Sequence, residues 1–202
     1  MGISQGGHAV LFASEQAAEY APELTLVGTV AMAPGTELDR RFPGDNPQVV
    51  AVITAMAVYG LAVDHPDIHP EEYATPALQE VSAQFDTNCL NEVSISLAAI
   101  PADQHWTVDP LSTEAGKRVA AGNNPGQVAF DAPLLVVQGD ADLVVVPART
   151  DAFFERTCAA GQNATLRTVA GADHDLRSDE ARAEIAAWLG ARLAHEPATG
   201  GC

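Results

Sequence analysis

The chain has 202 residues, of which 47% are hydrophobic and 18% are charged, values typical of a soluble globular protein and not of a disordered one. Its formal net charge of −17 argues against a nucleic-acid partner and favours solubility through self-repulsion, with a docking face for a basic partner as the alternative. The longest apolar run, residues 47–61, is shorter than the roughly 18 residues that span a bilayer, which excludes stable membrane insertion.

The first elements along the chain are predicted to be a helix and a buried strand. Residues 5–20 place apolar side chains at helical spacing, and Pro22 ends this helix. Residues 24–34 are rich in β-formers and nearly all apolar from Val27 onward. Such a run is typical of a parallel strand that is buried on both faces.

The middle of the chain, residues 35–130, has no clear alternation of strands and helices and is interpreted as a helical insertion. We expect helices over residues 47–61, over 70–86 with a break at Pro76, and over 90–98, followed by an irregular segment rich in Pro, Gly and Asn over 101–130.

The alternation returns at residue 133 and predicts a parallel sheet in an α/β fold. The predicted order is a buried strand from residue 133 that runs into an acidic loop, a helix over 147–160, an alternating strand over 164–171, a loop, a helix over 178–195 with Ser178 as its N-cap, and a frayed tail from Glu196.

The three cysteines, Cys89, Cys158 and Cys202, form no pair with zinc-ligand spacing. Their odd number leaves at least one free or paired elsewhere. One disulfide is compatible with an oxidising compartment, and the sequence leaves its pairing open.

The first candidate catalytic residue is Ser4, in the G-x-S-x-G segment GISQG that opens the predicted first helix. A serine hydroxyl needs a base to take its proton and a carboxylate to orient that base. The flanking glycines allow a strained turn. The backbone N–H of Gln5, at a helix N-terminus, is a candidate oxyanion donor.

The candidate acid and base lie in loops after the two later strands. Asp142 follows the strand PLLVVQG, with Asp140 as its rival two residues earlier, and His174 follows the strand ATLRTVAG. His8 competes as a base because it is close to Ser4 in sequence, but we expect it to point away from the apex of the turn. A solvated acidic turn and a surface histidine are the alternative interpretations.

The DHPDIH segment, with His65 and His69, suggests a metal site together with neighbouring aspartates. Pro66 and Pro70 break the helical spacing that a pair of metal-binding histidines requires, so no metal is predicted.

The order Ser…Asp…His is that of α/β-hydrolases, and each member opens a helix or follows a predicted strand. GISQGGHAVLFA resembles the nucleophile elbow of the secretory lipases and esterases with an α/β-hydrolase fold, the group of Candida antarctica lipase A-like enzymes. PLLVVQGDADLVVVP resembles the acid loop of this family, and GADHD resembles its histidine loop.

The resemblance implies an α/β-hydrolase core over residues 1–34 and 131–202 and a helical cap or lid over residues 35–130. It implies that Ser4 is the nucleophile, that Asp142 and His174 complete the triad, and that Gln5 lies in the oxyanion hole. The implied reaction is hydrolysis of a carboxylic ester or acylglycerol, with no cofactor. No signal peptide is visible, and the family resemblance implies secretion.

The family has further strands and helices before the elbow, including the strand that leads into the serine and the loop with the second oxyanion donor. The chain is therefore expected to be an N-terminally truncated fold. Three interpretations stay open: an active esterase completed as a homo-oligomer, a piece of a longer hydrolase, and a non-catalytic interaction module. The apolar cap segment Val49 to Leu61 is either an acyl-chain wall or a plain core helix.

Overall fold

The computed structural model describes every residue from Met1 to Cys202 and divides into two compact units. The first, here called the sheet unit, comprises Met1–Gly44 and Asn124–Cys202, and the second, the helical unit, comprises Asp45–Asn123. That the helical unit acts as a cap stays a prediction.

The sheet unit is built on four parallel strands in the spatial order β1-β2-β3-β4. This confirms the predicted parallel α/β architecture. The expectation that no strand leads into Ser4 is wrong, because Gly2 and Ile3 form a short strand on β2. The strands are β1 (Gly2–Ile3), β2 (Thr29–Met32), β3 (Leu134–Gly139) and β4 (Ala164–Val169).

Eight α-helices accompany the strands, and none combines the length and apolar character that a membrane crossing requires. They are α1 (Gln5–Tyr20), α2 (Pro47–Ala62), α3 (Pro70–Tyr73), α4 (Pro76–Ser82), α5 (Leu90–Ala98), α6 (Glu114–Gly122), α7 (Pro147–Ala159) and α8 (Asp179–Leu193).

Apolar side chains cover both faces of the sheet because successive residues of a strand point in opposite directions. Leu134 and Val136 pack on one face with Leu11 of α1 and Phe153 of α7. Their neighbours Leu135 and Val137 pack on the other face with residues of α8. All six residues of β3 are buried, as the sequence predicts for a parallel strand with helices on both sides.

The helical unit has a core of its own, formed by six buried apolar residues: Ala55, Ala74, Leu78, Val93, Leu97 and Ile100. The expected helices α2 to α5 are present, but the prediction of irregular chain over residues 101–130 is wrong for residues 114–122. Helix α6 forms there because the Thr113 hydroxyl accepts a hydrogen bond of 3.0 Å from the Gly116 N–H and caps its N-terminus.

The C-terminal tail is ordered, so the prediction of frayed residues after Glu196 is wrong. Cys202 forms a disulfide with Cys158 of α7, with a Cα–Cα distance of 5.6 Å, and Cys89 is free and exposed. The Gly201 N–H also donates to the Ala164 carbonyl at 2.6 Å, which fixes the tail to the start of β4.

Candidate active site

The three predicted triad residues lie beyond the carboxyl ends of strands of one parallel sheet. Ser4 follows β1, Asp142 lies in the loop after β3, and His174 lies in the loop after β4. Functional groups of open α/β sheets gather at this edge because the carboxyl ends of parallel strands lie side by side.

Ser4 forms a sharp turn between β1 and α1, with a φ of 55° and a ψ of −119°. This left-handed conformation is strained for a residue with a side chain, and the surrounding structure has to hold it in place. The Ser4 N–H donates to the Met32 carbonyl at 2.9 Å. The Ser4 carbonyl accepts from the N–H groups of His8 at 3.0 Å and Gly35 at 3.2 Å. Both backbone polar groups of Ser4, its N–H and its carbonyl, are therefore fixed by hydrogen bonds.

The elbow needs two of its glycines for space. A Cβ on Gly2 would collide with the Gly6 carbonyl oxygen, and a Cβ on Gly7 would lie 3.0 Å from the Met32 carbonyl oxygen. A Cβ on Gly6 would meet nothing within 4 Å. The tight contacts are thus between β1 and the first turn of α1, and between α1 and the end of β2.

Gln5 is the first residue of α1, and its backbone N–H makes no hydrogen bond to another backbone group. The first N–H groups of a helix have no partner within the helix, and the helix dipole places positive charge at this end. No acidic side chain lies in the first turn. This N–H is therefore suited to receive a developing negative charge beside Ser4.

His174 and Asp142 form a direct pair, with His174 Nδ1 2.8 Å from Asp142 Oδ2. The other carboxylate oxygen, Oδ1, accepts from the N–H groups of Val144 at 2.8 Å and Val145 at 2.9 Å. Burial alone raises the pKa of the Asp142 carboxyl, but the His174 hydrogen bond and the two N–H donors outweigh it and hold the pKa below its usual value.

The rival acid, Asp140, is engaged elsewhere. Its Oδ1 accepts a hydrogen bond of 2.6 Å from the Gly171 N–H, and the neighbouring Ala141 N–H donates to the Ala172 carbonyl at 3.0 Å. The two aspartates diverge because the backbone after β3 turns instead of remaining extended. Asp140 thus fixes the loop that carries His174, while Asp142 contacts the imidazole itself.

The structure brings together two of the three predicted triad side chains. No hydrogen bond joins the Ser4 hydroxyl to the His174 ring. Such contacts are often long without substrate and tighten only when it binds. His8, the competing base, places its ring edge-on to Phe12 one turn further along α1, with 5.0 Å between the ring centroids.

Sequence reasoning missed two polar side chains beside Asp142. Gln138 of β3 and Thr150 of α7 are both buried, and the Gln138 amide nitrogen lies 3.2 Å from Asp142 Oδ2. The sequence does carry a signal for Gln138, because a glutamine within the buried apolar run PLLVVQG needs hydrogen-bond partners. Thr150 carries no comparable signal.

Two curated proteins are similar to this chain over most of its length. A Mycobacterium tuberculosis protein named "Probable inactive lipase MT1628" is 26% identical over 98% of this chain and 46% of its own length. The trichothecene C-3 esterase of Fusarium sporotrichioides is 25% identical over 93% of this chain and 45% of its own length. The chain therefore spans about half the length of these curated relatives.

Among solved structures, Candida antarctica lipase A in its closed state superposes with a TM-score of 0.79 at 20% identity. That match covers 99% of this chain and 50% of the lipase, and it establishes the α/β-hydrolase fold. The sequence model of the family described as "Secretory lipase" matches residues 1–201. With nearly every residue inside that match, the chain belongs to the secretory lipase family.

Proposed function

We propose that this chain carries the catalytic centre of a serine carboxylesterase or lipase. Ser4 is the nucleophile, His174 is the general base and acid, and Asp142 orients His174 and stabilises its protonated form. The Gln5 N–H donates to the oxyanion. The substrate is a small-molecule carboxylic ester or an acylglycerol.

The reaction proceeds through an acyl-enzyme. His174 Nε2 takes the Ser4 hydroxyl proton as Oγ bonds to the ester carbonyl carbon. The oxyanion that forms accepts a hydrogen bond from the Gln5 N–H. Collapse of this intermediate breaks the bond to the alcohol oxygen, which leaves with the proton from His174. A water molecule, deprotonated by His174, then attacks the acyl carbonyl carbon. The bond to Ser4 Oγ breaks, and His174 returns the proton to this oxygen as the acid leaves.

The observation that carries the proposal is the His174–Asp142 hydrogen bond of 2.8 Å, with the second carboxylate oxygen held by two backbone N–H groups. This pair orients the imidazole, and it lies at the same sheet edge as a strained serine at a helix N-terminus. The esterase named among the relatives supports ester chemistry.

Hydrolysis of short and medium p-nitrophenyl esters tests the proposal, together with stoichiometric labelling by a fluorophosphonate. Ser4→Ala is expected to abolish labelling and to lower kcat by about 10⁴-fold or more. Asp142→Asn is expected to lower kcat by about 10⁴-fold because it leaves the wrong tautomer of the imidazole. Asp140→Asn, the matched variant in the same loop, is expected to lose less than about 10-fold.

A non-catalytic interaction module is the second candidate function. The relative whose name includes "inactive lipase" favours it, as does the lack of a hydrogen bond between Ser4 and His174. A folded chain that neither labels nor hydrolyses any ester above the Ser4→Ala background would overturn the catalytic proposal in favour of this one.

Secretion and self-association complete the proposal. Membership of a secretory family supports export, and so does the disulfide between Cys158 and Cys202, since such bonds persist in oxidising compartments. Strand β1 pairs with β2 alone, which leaves one edge of the sheet open. Open edges favour pairing with another chain, and association of two copies there stays a prediction.

A further inference from the structure

Gln138 places a buried amide directly behind the Asp142 carboxylate. It lies two residues after Val136 on β3, on the sheet face that packs against α1 and α7, and its exposed fraction is 1%. A buried amide needs partners for its donors and its acceptor, because each unsatisfied group carries a desolvation cost. The positions of those partners determine the orientation of the amide and the groups to which it donates.

The partners fix which way the amide points. Three acceptors surround Nε2: the carbonyl of Gly139 at 3.0 Å, the carbonyl of Val145 at 3.0 Å, and Asp142 Oδ2 at 3.2 Å. None of them can donate, so the nitrogen must face them. The oxygen Oε1 then faces the Thr150 hydroxyl, which lies 2.6 Å away and must donate to it.

Asp142 Oδ2 therefore shares its charge between two donors, the His174 ring and the Gln138 amide. The carboxylate does not depend on Gln138 to stay in place, because Val144 and Val145 hold Oδ1. The contribution specific to Gln138 is a neutral hydrogen bond on the same oxygen that the imidazole uses. A donor on that oxygen weakens the hold of the carboxylate on an imidazolium.

We propose that Gln138 is a positioning residue that limits the basicity of His174 by sharing Asp142 Oδ2, and that Thr150 holds the Gln138 amide in the required orientation. The inference rests on the proposed function, in which His174 has to take a proton from Ser4 and then give it up. A base serves both steps best when its pKa lies near the working pH.

Other charged groups of the two loops do not replace this effect. The acidic side chains of these loops are Asp140, Asp142, Asp173 and Asp175. Of these, only Asp142 bonds the His174 ring, since Asp140 binds the Gly171 N–H, Asp173 binds the Asp175 N–H, and Asp175 pairs with Arg177. Besides the His174 ring, Gln138 is thus the side chain that bonds Asp142 Oδ2.

Titration of the histidine side chains by NMR tests the inference without requiring turnover, with His174→Gln used to assign the signal. Gln138→Met keeps a similar volume but removes the donor, and it is expected to raise the His174 pKa by about half a unit to one unit. The other five histidines are expected to keep their midpoints. A His174 pKa that falls or stays unchanged in Gln138→Met would overturn the inference. If Gln138 had only a structural role, its loss would weaken the His174–Asp142 hydrogen bond, and the His174 pKa would not rise.

Thr150→Val provides a second variant if Gln138→Met does not fold. It is expected to raise the His174 pKa in the same direction by a smaller amount, since the amide loses the partner that holds and polarises it. Thr157→Val is its matched control on the same helix, because Thr157 is equally buried and its hydroxyl has no hydrogen-bond partner. Equal His174 pKa values in the two threonine variants would contradict the role of Thr150.

The esterase assay separates this inference from the proposed function. In an active chain, the acidic limb of kcat/KM in Gln138→Met is expected to move to higher pH by the same amount as the NMR midpoint, with KM little changed. If the wild-type chain hydrolyses no ester, the proposed function fails while the NMR titration still decides whether Gln138 controls His174.

Discussion

At the scale of single residues, Asp142 is the group whose ionisation should be linked to folding. Its carboxylate is buried, yet the His174 bond and the backbone N–H groups of Val144 and Val145 keep its pKa below the usual value. In the unfolded chain an aspartate titrates near pH 3.9, so the unfolded state binds the proton more readily than the folded state. The stability that these bonds provide is therefore complete above about pH 5 and is lost as the pH falls below the unfolded pKa and through the folded pKa.

We therefore expect the difference in free energy of unfolding between the wild type and Asp142→Asn to shrink as the pH is lowered from about 5 to about 2. Urea denaturation at a series of pH values measures this difference. Glu23→Gln, an exposed change of the same kind, serves as the control and is expected to cost little at any pH. A difference that stays constant over this range would show that Asp142 contributes no ionisation-linked stability.

Individual residues also show how far sequence reasoning reaches. Ser4, Asp142 and His174 follow from a motif, the ends of predicted strands and the chain order, and the structure joins the last two. The hydrogen bond between Gln138 and Thr150 could not be predicted from the sequence, because it depends on how α7 packs on β3 and no local pattern encodes that packing. The choice between Asp140 and Asp142 likewise required the backbone turn between them.

At the scale of elements, the nucleophile elbow depends on the close approach of β1 and α1. Gly2→Ala would place a methyl group against the Gly6 carbonyl, a backbone atom that cannot move without shifting the turn. We expect this variant to be destabilised by about 1–3 kcal/mol and to label more slowly at Ser4, because the strained φ is no longer held.

Gly6→Ala is the matched control, since the added methyl group meets nothing within 4 Å. It is expected to leave stability unchanged or to increase it by up to about 1 kcal/mol, because alanine favours helices more than glycine does. Thermal unfolding and fluorophosphonate labelling of both variants measure the contrast. Equal behaviour of Gly2→Ala and Gly6→Ala would contradict this account of the elbow.

Long elements with a strong apolar pattern were the most predictable from sequence. Helix α1 lies where the helical spacing of its apolar residues predicts it, and helix α2 and the buried strand β3 lie within the continuous apolar runs of the sequence. Strand β1 was missed because two residues carry no period, and its existence depends on pairing with Ala31 and Met32 of β2. Helix α6 was missed because it lies in a segment of turn-forming residues, where its Thr113 cap is the main signal.

At the scale of the whole molecule, the C-terminus is tied to the far end of the sheet from the candidate site. The disulfide between Cys158 and Cys202 spans 44 residues of sequence, and the Gly201 N–H pairs with Ala164, the first residue of β4. His174 follows the other end of that strand. The sequence left this pairing open because the two cysteines meet only once α7 and the tail pack beside β4.

Cys202→Ser should therefore separate stability from activity. A cross-link over a loop of this length is expected to contribute about 2–4 kcal/mol, chiefly by restricting the unfolded chain, so the variant should unfold at correspondingly lower urea concentration. Cys89→Ser, which removes the exposed free thiol, is the control and should unfold like the wild type. Because the tail contacts the amino end of β4, ester hydrolysis by Cys202→Ser at low temperature is expected to match that of the wild type. A selective loss of kcat in the folded variant would instead mean that the tail supports the loop that carries His174.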